Sequence, residues 1–225
     1  MFIRIAKLLN ESQLSFLDEF VTSGNFVDGS ATTGVPTKAV KKNLQIDLAN
    51  HPKRDEFFKL ISQAMNENKI VRSSVLPLRM TLPILSKYET NMSYGWHVDN
   101  AIMSALGTPV RSDIACTLFL SDPKSYDGGE LIVRSGTGDA NVKLERGDAF
   151  LYPATSRHQV TAVTRGERIA VVFWIQSMVA ESAKREILYD LELAYDRVMN
   201  ENPKSEAAQA IQRAQANLVR RWSET

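Results

Sequence analysis

Ile114-Ala115-Cys116-Thr117-Leu118-Phe119-Leu120 is the stretch that decides the fold. Side chains alternate across a strand, and here both alternating sets are largely apolar, so the segment reads as a strand with two buried faces. The same grammar continues downstream. Asp127-Gly128-Gly129 is a turn and Glu130-Leu131-Ile132-Val133 leaves it as a strand. Arg146-Gly147-Asp148 turns into Ala149-Phe150-Leu151-Tyr152, and Val160 to Val163, Arg165-Gly166 and Ile169 to Ile175 complete the series. Short strands separated by regular turn signals argue for a β-sandwich or jelly roll.

The flanks read differently. Phe2, Ile3 and Ile5 begin a short strand, and Asn10 with Gln13 forms a capping box ahead of a helix carrying Leu14, Leu17 and Val21. Gly24 ends that helix, and residues 24 to 37 read as a long loop, either a flap beside a site or a disordered segment. A second helix after Pro52 turns Phe57, Leu60, Ile61 and Ala64 inward, with His51 at its entry. Beyond Ser177, Ile187, Leu191, Ala194 and Val198 share one helical face. Asn202-Pro203 reads as a cap and first helical position for a second, faced by Ala207, Ile211, Ala214, Leu218 and Trp222. The expected class is mainly β with helices (α+β). It divides into a supporting region at 1–74, a jelly-roll core at 75–178 and a C-terminal helical hairpin at 179–225, the surface to suspect for homo-oligomer formation.

Composition narrows the function classes. Net charge is +1 with no basic stripe, which argues against a nucleic-acid partner. Cys116 is the sole cysteine, so no intramolecular disulfide forms, and a reducing compartment fits. No apolar run approaches a membrane span and the N-terminus carries no signal pattern, so the expected location is cytoplasmic.

The chain has three histidines, His51, His97 and His158. In Trp96-His97-Val98-Asp99-Asn100, His97 and Asp99 stand two apart and share a strand face. His158 completes a two-His-one-carboxylate set, which suits non-haem Fe(II) and leaves coordination positions open. A 2-oxo acid can fill two of these and O2 the last. A co-substrate such as 2-oxoglutarate also needs a cation for its distal carboxylate. Arg168 is the leading candidate because a guanidinium binds carboxylate with two parallel hydrogen bonds. Tyr88 can add another, or is a plain core tyrosine. Tyr94, Trp96 and Asn100 either line the substrate entrance or pack. Arg79 either meets an anionic substrate or makes a surface ion pair.

This assignment carries a geometric condition. In a flat two-residue hairpin at Arg165-Gly166, Val163 would pair with Arg168. Arg168 would then lie about five steps, roughly 16 Å, from His158 and on the opposite face. The chain must therefore change sheets, or bulge, between His158 and Arg168.

Tyr88, the run Tyr94 to Ala101, Gly128-Gly129-Glu130-Leu131, Gly147-Asp148, and Tyr152-Pro153 through His158 resemble the prolyl-4-hydroxylase-like Fe(II)/2-oxoglutarate dioxygenases. Val160, Val163-Thr164, Gly166, Arg168 and Trp174-Ile175-Gln176-Ser177 narrow the resemblance to bacterial PKHD-type hydroxylases, a group associated with iron-uptake genes. The resemblance implies a double-stranded β-helix with His97, Asp99 and His158 on iron and Arg168 on 2-oxoglutarate. It implies decarboxylation of 2-oxoglutarate to succinate with hydroxylation of an unactivated C–H bond, and ascorbate keeping the iron reduced. Asn91 stands where glycine is expected; Asn tolerates the left-handed backbone better than most residues. The alternative is a non-catalytic iron-binding or iron-sensing jelly roll, and the substrate, small molecule or peptide, is left open.

Overall fold

The computed structural model describes residues 1–32 and 38–224. Its core is two antiparallel sheets. The larger contains β1 (Ile3–Ile5), β14 (Ala149–Pro153), β10 (Ile114–Phe119), β17 (Arg168–Ser177), β6 (Ile84–Tyr88), β4 (Leu44–Ile46) and β2 (Phe26–Asp28), in that order, with β5 (Pro77–Met80) also on β17. The smaller runs β13 (Gly138–Val142), β12 (Leu131–Ser135), β15 (His158–Val160), β7 (Ser93–His97) and β3 (Lys41–Lys42). Two further pairs stand apart: β8 (Ile102–Ala105) with β9 (Thr108–Arg111), and β11 (Asp127–Gly128) with β16 (Val163–Arg165).

The double apolar character of Ile114–Phe119 has a direct cause. Cys116 and Leu118 pack with Leu14, Leu17 and Phe20 of α1 (Glu11–Ser23), Phe57, Ile61 and Ala64 of α2 (Arg54–Glu67) and Val71 of α3 (Lys69–Ser74). Ala115 and Phe119 face the other way, into a second cluster with Leu131, Val133, Phe150 and Tyr152 between the sheets. One strand thus serves two cores, helices on one side and the opposing sheet on the other.

Several local expectations hold. Asn10 accepts from the Gln13 backbone and the Gln13 side chain returns to the Asn10 backbone. Asn91 takes φ +67° in the turn between β6 and β7. His51 lies in the helical core: its ring sits 3.8 Å from that of Phe20, its Nε2 is 3.2 Å from the Phe20 carbonyl, and its Nδ1 accepts from Lys53 N–H.

Three readings change. Residues 26–28 are not loop but β2, paired with β4, and Gly29–Thr32 is a short 3-10 turn; residues 33–37 lie outside the described residues. Asn202 closes α4 (Ser182–Glu201) through its N–H to Val198 O, and Ser205 precedes α5 (Glu206–Trp222). The helical faces match expectation only in part, with Leu191, Val198, Ile211, Leu218 and Trp222 half-buried. Leu188 and Ala208 are the buried apolar residues of the hairpin, whereas Ile187, Ala194, Ala207 and Ala214 face outward. The hairpin's inward positions mix polar with apolar groups, as in Gln215 donating to Leu188 O, so apolar spacing alone blurs the edge of the face.

The passage from His158 to Arg168 changes sheets. β15 belongs to the smaller sheet, β16 bridges to β11, and β17 starts at Arg168 in the larger sheet opposite Tyr88. Gly128 allows this crossing. At φ +72° its missing Cβ would lie 2.0 Å from the Ala162 carbonyl oxygen, so only glycine fits the close approach.

Candidate active site

Between the sheets lies a cavity of about 210 Å³ lined by both of them. His97, at the end of β7, is directly opposite His158, at the start of β15. Asp99 leaves β7 two residues later and turns its carboxylate back: Oδ1 is 3.8 Å from His97 Nε2 and 3.7 Å from His158 Nε2. Ligand atoms about 2.1 Å from a shared ion can be no more than about 4.2 Å apart. Both carboxylate–imidazole separations satisfy that limit, and one ligand atom from each of the three residues lies within 4.8 Å of the others. Among the described residues this is the one such cluster.

The imidazoles are oriented for donation. His97 Nδ1 lies 2.8 Å from Gly95 O and His158 Nδ1 lies 3.0 Å from Ser156 O, so each ring gives its N–H to a carbonyl and turns the Nε2 lone pair inward. Burial, reinforced by His158, pushes His97 down to about 3, keeping the lone pair unprotonated at neutral pH. Burial raises Asp99, with His158, Trp174 and Lys41 opposing the shift. Among the described residues its Oδ2 is buried without a hydrogen-bond partner, and so is the nearby Trp174 Nε1. Two imidazoles turned inward by their carbonyl bonds and a partly unsatisfied carboxylate fit a divalent cation with open positions.

Arg168 is 1% exposed, and its Nε has no hydrogen-bond partner among the described residues. Its guanidinium packs against the rings of Tyr88 and Phe119 at 5.3 and 5.4 Å. No carboxylate of the described residues forms an ion pair with it, although it lines the same cavity as the triad. A buried charge without a counter-ion is costly, so this side chain implies an anion supplied from outside. Burial pushes the neighbouring Tyr88 phenol up to about 12, against the pull of Arg168, so it remains a hydrogen-bond donor.

The remaining candidates separate. Tyr94 lines the cavity and stacks on His97 at 3.6 Å, and Asn100 lines the rim. Trp96 is turned to the outer face of the sheet, between Arg134 and Arg157. Arg79 is exposed on β5 and does not line the cavity. The structure adds residues that spacing did not reveal. Lys41 on β3 lines the cavity, and Tyr152 sets its ring edge-on to His158 at 5.1 Å. Burial lowers Lys41 to about 8, against Asp28 and Asp99.

A family profile described as the 2OG-Fe(II) oxygenase superfamily matches residues 83–176, which contain the whole cluster. A PKHD-type hydroxylase of Burkholderia ambifaria is 41% identical over 229 residues, and one of Bordetella pertussis 38% over 226, each alignment covering both chains fully. The chain belongs to the PKHD-type hydroxylases. It is therefore an Fe(II)- and 2-oxoglutarate-dependent dioxygenase by family. A prolyl-4-hydroxylase crystal structure from Pseudomonas putida aligns with TM-score 0.56 at 17% identity, covering 78% of this chain and 92% of that one. At that identity the likeness bears on the fold, and it agrees with a jelly-roll core. No described helix is long and apolar enough to cross a membrane.

Proposed function

We propose that His97, Asp99 and His158 hold the Fe(II), that Arg168 and Tyr88 bind the distal carboxylate of 2-oxoglutarate, and that the enzyme hydroxylates an unactivated C–H bond while 2-oxoglutarate becomes succinate and CO2. The observation that carries the reading is the buried Arg168, a cation that no carboxylate of the described residues pairs with, in the cavity that holds the triad. A non-catalytic iron-holding jelly roll has no use for such a group.

The iron, when bound, supplies the site where O2 and the keto acid meet and are activated for oxidation. The protein's part is positioning. Gly95 O and Ser156 O fix the imidazoles, and the forked Arg168 guanidinium sets the co-substrate's depth and direction. Tyr88 O–H donates to the same carboxylate. Leu131, Val160, Val172 and Phe173 keep the chamber apolar, which strengthens these interactions and excludes water from the oxidant.

In this reading residues 75–178 carry the chemistry, residues 1–74 frame it, and residues 179–225 form an appended hairpin. Exposed Ile187 and Leu193 on α4 support its use in homo-oligomer formation, checked by light scattering of the intact protein and an Ile187→Glu variant. Ascorbate as reductant, a role alongside iron uptake and a cytoplasmic location belong to the same proposal and follow the family resemblance. The decisive assay is succinate release from 2-oxoglutarate with Fe(II). Turnover that survives in His97→Ala or Asp99→Ala would overturn the assignment.

A further inference from the structure

β17 brings Trp174 into the cavity as well as Arg168. The two stand six residues apart on one strand, so they share a face, and both line the chamber. The Trp174 backbone is pinned at both polar groups: its N–H donates to Thr81 Oγ1 at 3.0 Å, and its carbonyl accepts from Thr81 N–H at 2.9 Å. Its cross-strand partner is Ala115, and its indole packs against the inter-sheet cluster that contains Ala115 and Tyr152.

The indole nitrogen is buried and has no acceptor among the described residues. Asp99 Oδ2, in the same cavity, is buried and has no donor among them. Each such group carries a desolvation cost. The two are complementary, because an indole nitrogen only donates and an ionised carboxylate only accepts. They are also neighbours: burial raises Asp99, and His158 and the Trp174 N–H pull it back.

The two oxygens of Asp99 are not equivalent. Oδ1 lies 3.8 Å from His97 Nε2 and 3.7 Å from His158 Nε2, the placement of a ligand atom, and Oδ2 is left over. The metal must keep positions open for the keto acid and O2. An Asp99 that gave both oxygens would take one of them.

We propose that Trp174 is a positioning residue for the metal centre: its indole N–H donates to Asp99 Oδ2, so that Asp99 offers the metal Oδ1 alone. The inference rests on the reading of His97, Asp99 and His158 as the metal face, and deepens it. The bond closes when Oδ1 is engaged, and it satisfies both buried groups in one step. β17 then serves the reaction twice, with Arg168 setting the co-substrate and Trp174 setting the carboxylate ligand.

The test uses the full-length protein carrying 15N at its indole nitrogens, titrated with Zn(II) as a diamagnetic stand-in for Fe(II). Trp96, Trp174 and Trp222 each contribute one indole N–H signal, and Trp96→Phe and Trp222→Phe identify the Trp174 signal by elimination. On Zn(II) loading that signal should move downfield and its exchange with solvent should slow. Trp174→Phe should bind Zn(II) and, under anaerobic conditions, Fe(II) about 10- to 100-fold more weakly, the usual cost of removing the partner behind a metal ligand.

Without both changes in the Trp174 signal the proposal falls, and it falls equally if Trp174→Phe binds metal as tightly as wild type. The wild-type spectra decide the matter even where Trp174→Phe does not fold, because loss of packing cannot enter them. Failure of the underlying reading is seen separately, as wild-type protein that takes up neither Zn(II) nor Fe(II).

Discussion

Replacing Arg168 with Met should do two opposite things. Met keeps most of the buried stem that packs against Gly129 and removes only the guanidinium. Without co-substrate, that guanidinium is a buried charge with no ion-pair partner among the described residues, and exchanging buried charged groups for apolar ones is typically worth about 1–4 kcal/mol of stability. The packing on Tyr88 and Phe119 offsets part of this, at about 0.5–1 kcal/mol for each cation–π contact. A net gain of about 1–2 kcal/mol should remain, raising Tm by about 2–8 °C for a chain of this size. Binding moves the other way. Two charge-assisted hydrogen bonds lost from a buried carboxylate cost about 3–4 kcal/mol, a few hundred-fold in 2-oxoglutarate affinity. Wild-type protein at 100 times its Kd should gain about 2.7 kcal/mol from the ligand, and the variant at the same concentration almost none. Differential scanning fluorimetry with and without 2-oxoglutarate reads both effects. A variant that melts lower than wild type in the absence of ligand would refute the unpaired-charge argument, and undiminished stabilisation by 2-oxoglutarate would refute the assignment of the site.

His97→Ala or Asp99→Ala should lower succinate formation by about 1,000-fold or more and reduce bound iron measured by atomic absorption, since removing one of three donors unmakes the metal face. Replacing His51 with Ala should cost about 1–3 kcal/mol in urea unfolding through the lost Phe20 contact and carbonyl bond, yet leave iron stoichiometry unchanged. For the metal-free protein, His97 has a folded pKa of about 3 against 6.5 unfolded. Its contribution to stability is therefore complete above about 6.5 and declines as pH falls toward 3; denaturation midpoints across that interval should show the loss, and His97→Gln should flatten it. Gly128→Ala should destabilise by about 2–4 kcal/mol because its Cβ would meet the Ala162 carbonyl at 2.0 Å, and a melting temperature within a degree of wild type would contradict the close-approach argument.

What the sequence disclosed, and what it hid, follows from the range of the interactions involved. The capping box at Asn10 and the left-handed turn at Asn91 depend on neighbours within a few residues, and both are read correctly. Local spacing gives His97 and Asp99, and the shortage of histidines gives His158. Parity alone says that Trp96 must face away from His97, and it does; by the same parity Tyr94 should face away too. It stacks on His97 because the register slips between the pairs His158–His97 and Val160–Tyr94, two residues on one strand against three on the other. A bulge of this kind is a tertiary event and reverses a side chain without any mark in composition. Lys41 was hidden for a related reason: its strand is two residues long and exists only because β7 is there to receive it. The helical hairpin is legible only in part: Leu191, Val198, Ile211, Leu218 and Trp222 are half-buried as their spacing predicts, but Gln215 also turns inward and Ala207 and Ala214 outward, so hydrophobic period blurs the edge of the buried face. The crossing from β15 to β17 lies between these extremes. Strand arithmetic excluded a flat hairpin between His158 and Arg168, and the route through β16 is the solution the fold adopts. It brings an arginine from one sheet and a histidine from the other into one chamber, although the sequence interval between them would keep them apart on any single sheet.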